Sequence, residues 1–182
     1  MELTEKTLRE EYIYNGRIIR LRRDDAQLPN GETATREVIE HNGGVCVAAL
    51  TDDDELLMVR QFRYPYKETL LEIPAGKRDS ANEDPFECGL RELSEETGAT
   101  AKDFYFLGKL YPSPGYCGEI IWMYAAKNLT FGESHTDEDE FLEVEKIPLE
   151  KAVNMVLSGE ITDAKTQTAI LKLNLLKDKG EF

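Results

Sequence analysis

Apolar residues along the chain recur at two spacings, and the switches between them divide it into strands, one helix, further strands and two closing helices. Residues 12–21 and 33–39 read as strands joined through Asn30-Gly31, a strong hairpin signal, and predict a small antiparallel N-terminal sheet. Residues 45–50 and 56–62 are apolar, β-rich runs on either side of the acidic turn Asp52-Asp53-Asp54. A tight turn at Ile73-Pro74-Ala75-Gly76 leads towards a helix starting at Pro85. Strands are expected over 104–110 and 120–126, then an acidic loop over 132–139 and a strand beginning near Phe141. Residues 149–157, bounded by Ser158-Gly159, and 164–176 carry apolar side chains at helical spacing. Mixed strands with helices on both sides predict an α+β fold, a three-layer α-β-α sandwich with a mixed sheet.

The helix at Pro85 has the clearest punctuation. Asp84 is placed to cap it, Pro85 to fill its first position and Glu87 to complete a capping box, while Gly98 supplies the stop. Phe86, Leu90 and Leu93 form its expected buried stripe. Glu92, Glu95 and Glu96 fall within one turn of it. Positions three and four apart share a face, so these carboxylates should converge. Like charges at that spacing cost roughly 0.2–0.5 kcal/mol per pair. A hard divalent cation that takes oxygen ligands would offset the repulsion. An acidic run on a helix is more often a solvated face, and that reading stands beside the cation.

With 182 residues, 41% of them hydrophobic, the chain is long enough for one domain with a substantial core. The formal net charge of -14 argues against nucleic acid or an anionic membrane surface as a partner. It also means that an anionic substrate needs bridging cations near the carboxylates. Cys46, Cys88 and Cys117 form no paired spacing that would suggest zinc or a disulfide framework, and Cys46 and Cys88 read as core or helix residues. His41 and His135 sit in no metal-ligand spacing and read as surface or structural residues. The first residues lack the apolar stretch of a signal peptide and no run approaches ~18 apolar residues, so the cytoplasm is the expected location.

Residues 76–99 resemble the signature of the Nudix hydrolases, G-x5-E-x7-R-E-U-x-E-E-x-G-U with U aliphatic. Glu83 is followed by seven residues and then Arg91-Glu92-Leu93-Ser94-Glu95-Glu96-Thr97-Gly98-Ala99. One departure is a sixth residue between Gly76 and Glu83, which lengthens the loop before the helix and leaves the helix register intact. The resemblance implies Mg²⁺, with Mn²⁺ as a substitute. It implies Glu92 and Glu96 as direct ligands, Glu95 as a ligand or the holder of a metal water, the Ala75 carbonyl as a further ligand, and Arg91 as the orienter of these carboxylates.

Further segments resemble the ADP-ribose pyrophosphatase branch: Gln61-Phe62-Arg63, Leu71-Glu72-Ile73-Pro74-Ala75-Gly76-Lys77, and Ser113-Pro114-Gly115 followed by Glu119. By that likeness Arg63 clamps substrate phosphate, Glu72 supports the metal site or the ribose, and Pro114 and Glu119 contact substrate. A solvent-facing Arg63 and an ordinary Pro-Ser-Pro-Gly turn are the plainer readings. The general base is expected in the acidic loop, at Glu140 first and Glu138 second, against a merely solvated loop. Arg36 and Ile18 hold the positions from which this branch contacts the adenine. An arginine stacks on a base and an isoleucine does not make the same sandwich.

The implied organisation is a β segment over 1–40, for dimerisation and substrate contacts, and a catalytic domain over 41–182. The implied activity is Mg²⁺-dependent hydrolysis of ADP-ribose to AMP and ribose 5-phosphate by a homodimer. Alternatives are another nucleoside diphosphate sugar, a dinucleotide such as NADH, or a ligand-binding regulator that kept the fold without catalysis.

Overall fold

A computed structural model of the protein describes residues 2–135 and 141–182. In chain order the elements are β1 (Lys6–Asn15), β2 (Arg20–Gln27), β3 (Thr33–Glu40), β4 (Gly44–Ala49), β5 (Glu55–Arg63), β6 (Glu68–Glu72), β7 (Ala75–Lys77), α1 (Pro85–Thr97), β8 (Ala99–Leu110), β9 (Ile121–Phe131), β10 (Leu142–Pro148), α2 (Leu149–Ser158) and α3 (Ala164–Asp178). The strands form three sheets, ordered β1-β2-β3, β10-β5-β6 and β7-β4-β9-β8.

The third sheet is mixed, because β4 pairs in parallel with β9 while the β4–β7 and β8–β9 pairs are antiparallel. Strand β4 is buried on both faces and shows how the layers arise. Cys46, Ala48 and Leu50 point into one apolar cluster with Met123, Met155, Ile170 and Leu173, and so towards α2 and α3. Val45, Val47 and Ala49 point into a second cluster with Cys88 and Leu93 of α1. A period of two along a strand with apolar residues on both sides requires a cover on each face, and the helices supply it. The result is the expected sandwich.

Helix α1 begins and ends where its caps predict. The Asp84 carboxylate accepts the Phe86 N–H at 2.9 Å, and Gly98 closes the helix in the left-handed region at φ 68°. Its buried face differs from the expected stripe. Cys88, Gly89, Leu93 and Glu96 are inside, Leu90 is half-buried, and Phe86 is largely outside against the rings of Phe104 and Tyr124. Glu96 takes a core position because a backbone donor meets it there.

The N-terminal sheet has three strands where two were expected. The expected strand over 12–21 is broken by a turn in which the Gly16 N–H donates to the Ile19 carbonyl at 3.0 Å. Strand β2, with sequence RLRRDDAQ, has too few apolar residues for an alternating pattern. Ion pairs hold it instead: Arg22 with Glu40 at 2.8 Å and Arg23 with Glu11 at 2.5 Å. The Asn30-Gly31 turn therefore joins β2 to β3, with Gly31 at φ 88°. The expected turn at 73–76 is likewise corrected, since Ala75 and Gly76 lie in β7 and pair with Cys46 and Val45. No helix among the described residues is long and apolar enough to cross a membrane.

Candidate active site

Strand β7 and helix α1 meet so closely that only glycine at residue 76 leaves the Glu92 carboxylate where it lies. A Cβ built there would lie 1.9 Å from the Glu92 carboxyl carbon and 2.1–2.2 Å from its two oxygens. One residue earlier, the Ala75 N–H donates to Glu96 Oε2 at 3.0 Å. These two contacts join the ends of the glutamate cluster to the strand. The extra residue before Glu83 does not disturb them. The loop it lengthens folds around Arg78, whose guanidinium donates to the carbonyls of Glu83, Ala81 and Asn42 at 2.6–3.0 Å and lies 4.7 Å from the Trp122 ring.

Arg91 gathers the remaining carboxylates. Its Nη1 lies 2.9 Å from Glu92 Oε1 and 2.8 Å from Glu95 Oε2, and its Nη2 lies 3.2 Å from Glu83 Oε1. Partial burial works against its charge. The Glu92 charge and the hydrogen bonds to Glu95 and Glu83 prevail and raise its pKa above the ordinary value. Arg91 thus makes the plain i,i+4 pair with Glu95 and holds Glu92 and Glu83 as well. Among the described residues no three acidic, imidazole or thiol side chains form a ready-made cation site, Glu83, Glu92 and Glu95 being drawn onto Arg91. The Arg91 charge offsets the repulsion among Glu83, Glu92 and Glu95, while the Ala75 N–H takes Glu96.

A second wall holds four charges. Glu72 is 1% exposed and takes Arg63 through both oxygens, Nε to Oε1 at 2.6 Å and Nη2 to Oε2 at 2.7 Å. Lys165 Nζ, from the first turn of α3, also donates to Glu72 Oε2 and lies 3.0 Å from Asp163 Oδ2. Burial alone would raise the Glu72 pKa, but Arg63 and Lys165 together hold it below the usual carboxylate range. Arg63 is therefore not simply solvent-facing. A third wall carries His41, whose Nδ1 accepts the Gly43 N–H at 3.0 Å and lies 3.5 Å from Glu119 Oε1.

These walls enclose a cleft of about 830 Å³, with Arg17 and Ile18 at its rim. It brings together Arg63, Glu72, Ala75, Arg91, Glu92, Glu95 and Glu119 of the expected residues. Glu96 lies beneath it, 2% exposed. Arg36 and Pro114 are not part of it in the same chain. They line a separate hollow of about 230 Å³, and Arg36 is paired with Glu5 at 2.7 Å. Glu138 and Glu140 lie outside the described residues. The chain on either side of them is anchored at the site: the His135 N–H donates to the Glu95 carbonyl at 2.9 Å, and Leu142 pairs with Gln61 on the cleft wall. Lys165, Asp163 and His41 were not anticipated. Asp163 was legible as a helix cap, but nothing local announced that Lys165 reaches Glu72.

The donor set is three carboxylates and one backbone carbonyl, all oxygen, with the Glu92 carboxylate lying directly against Gly76. It fits a hard divalent cation, which Glu92, Glu95, Glu96 and the Ala75 carbonyl would hold.

The chain belongs to the Nudix family and is a Nudix pyrophosphohydrolase: residues 40–168 match the NUDIX domain. Residues 5–39 match the nucleoside diphosphate sugar hydrolase N-terminal domain. Within the family it sides with the ADP-ribose pyrophosphatase branch. It is 45% identical to an ADP-ribose pyrophosphatase of Bacillus subtilis, over 95% of this chain and 94% of that one. It is also 41% identical to a methanol dehydrogenase activator of Bacillus methanolicus, over 94% and 93% of the two chains. A crystal structure of an ADP compounds hydrolase superposes with TM-score 0.85 over the whole of both chains at 24% identity, a likeness of fold.

Proposed function

We propose that the protein hydrolyses the pyrophosphate bond of ADP-ribose, giving AMP and ribose 5-phosphate, with Mg²⁺ as the cation and Mn²⁺ as a substitute. The observation that carries this reading is one cleft holding both an oxygen-donor cluster for cations and a buried-carboxylate-anchored arginine for phosphate. The branch to which the chain belongs supports the choice of substrate. A divalent cation, which Glu92, Glu95, Glu96 and the Ala75 carbonyl would hold, would supply charge neutralisation of the diphosphate and activation of a water. Arg63 binds a phosphate oxygen through the part of its guanidinium not engaged by Glu72. Arg91 holds Glu92 and Glu95 in place, and Glu119 contacts the substrate from the opposite wall. Glu140, or Glu138 after it, takes the proton of the attacking water. A new P–O bond forms as the bridging P–O bond breaks, and the leaving phosphate oxygen is protonated.

A homodimer completes the site. Leu8, Tyr12, Ile13 and Tyr14 on β1 and Ile18 in the turn after it are more than half exposed in the single chain, a surface suited to a second copy. Arg36 and Pro114, set apart from the cleft of their own chain, would serve substrate through strands exchanged between copies. Sedimentation showing only monomer at micromolar concentration would refute this.

A second reading is GDP-mannose or another nucleoside diphosphate sugar. Its support is the 35% identity to a GDP-mannose pyrophosphatase of Yersinia enterocolitica over 72% of this chain, and a rim at Ile18 that offers adenine no stacking plane. The test is release of phosphomonoester from ADP-ribose, NADH, ADP-glucose and GDP-mannose with Mg²⁺. Faster turnover of another member would displace ADP-ribose, and tight binding without turnover would favour a regulator.

A further inference from the structure

Taking the cleft as a diphosphate site, we propose that the first turn of α3 belongs to it, with Lys165 the positioning residue that aims Arg63 at the substrate. Four charges alternate along a line from that turn: Asp163, Lys165, Glu72, Arg63. The line is buried in its middle and opens at one end. Glu72 is 1% exposed and Lys165 12%, while the Arg63 side chain is 36% exposed. Arg63 commits Nε and Nη2 to Glu72, and Nη1 has no hydrogen-bond partner among the described residues. That edge is what a phosphate oxygen can take.

Lys165 matters to Arg63 through the carboxylate that they share. An isolated Arg63–Glu72 pair would largely neutralise itself and leave little field for an anion. A second cation on Glu72 Oε2 offsets the carboxylate from behind, so Arg63 keeps more of its charge for the cleft. Occupying that oxygen also limits the ways in which the carboxylate can turn, and with it the guanidinium plane.

Holding α3 against the sheet does not require Lys165. The Asp163 carboxylate accepts the Thr166 N–H at 3.0 Å and the Thr166 hydroxyl at 2.6 Å. Thr166 Oγ1 in turn accepts the Ile73 N–H at 3.1 Å. This suture fixes the helix start to the residue after Glu72 through Asp163, Thr166 and a backbone N–H. Removing one partner of a buried pair also costs stability, so the role of Lys165 towards the arginine is read from affinity per folded molecule and not from stability.

The experiment is a double-mutant cycle of Lys165→Met and Arg63→Met. Binding of ADP-ribose is read by calorimetry in EDTA, where nothing turns over, together with kcat, KM and melting temperature. Lys165→Met is expected to weaken binding about tenfold and raise KM to match, with kcat altered less than about threefold. In the Arg63→Met background the same change should add less than about twofold. Lys165→Arg, which keeps the charge, should recover most of the affinity. Equal losses in both backgrounds, or a fall in melting temperature with unchanged affinity per folded molecule, would overturn the role. Coupled binding losses in a protein that hydrolyses no pyrophosphate would uphold Lys165 and reject the activity. Hydrolysis without coupling would do the reverse.

Discussion

Gly76→Ala separates the site's chemistry from its folding more sharply than any substitution of a charged residue. Gly76 is not among the glycines with positive φ, so alanine meets no backbone strain there. Its Cβ would stand 1.9 Å from the Glu92 carboxyl carbon, where real Cβ atoms keep at least 3.0 Å. The carboxylate must therefore retreat by roughly 1 Å, a displacement that costs on the order of 100-fold in rate at a reacting centre, or about 2.7 kcal/mol of activation free energy. The group that moves is the end of a flexible side chain, so the folded state should lose no more than about 1 kcal/mol. Initial rates of phosphomonoester release with saturating Mg²⁺, beside a thermal melt, read both quantities. A variant within about threefold of the wild-type rate would show that the Glu92 position is not critical. A collapse of the melting temperature would show that the β7–α1 contact is structural.

Glu96→Gln keeps an acceptor for the Ala75 N–H, so turnover should fall by about two orders of magnitude or more while the circular dichroism spectrum and melting temperature stay near wild type. Glu140→Gln should slow single-turnover hydrolysis while leaving Mn²⁺ binding, followed by electron paramagnetic resonance, unchanged; unaltered turnover would move the base to Glu138. Stability should form a plateau bounded by the Glu72 network. The Glu72 pKa lies below the ordinary 4.5, so its contribution is complete above that pH and lost as pH falls through the folded-state value. The Lys165 pKa lies above the ordinary 10.5, because the Asp163 and Glu72 charges outweigh burial, so its contribution is complete below 10.5 and lost as pH rises through the folded-state value. Urea midpoints from pH 3 to 11 should show both limbs, and an unchanged acid limb in Glu72→Gln would refute the assignment.

What was legible in the chain follows the range of the interactions. Helix α1, its Asp84 cap and its Gly98 stop were legible because the signals that start and end a helix are local in sequence. The buried strands β4 and β5 were legible because both of their faces are apolar. Strand β2 was missed because charge pairs on neighbouring strands stabilise it, and alternation of hydrophobicity carries no trace of them. The buried face of α1 was misjudged for a related reason. A glutamate belongs on the inside only when a backbone N–H awaits it, and that of Ala75 lies 21 residues away.

The same distinction runs through the cleft. Gly76, Glu83, Arg91, Glu92, Glu95 and Glu96 lie within one short stretch of chain, so their spacing encodes most of the arrangement. Glu72 and Lys165 are 93 residues apart, and only the packing of α3 on the sheet brings them together. The glutamate-bearing half of the cleft is thus built by one helix and the strand against it, while the half that carries Arg63, Glu72 and Lys165 is assembled from β5, β6 and α3. Substitutions in the first half should act on the chemical step and those in the second on substrate affinity.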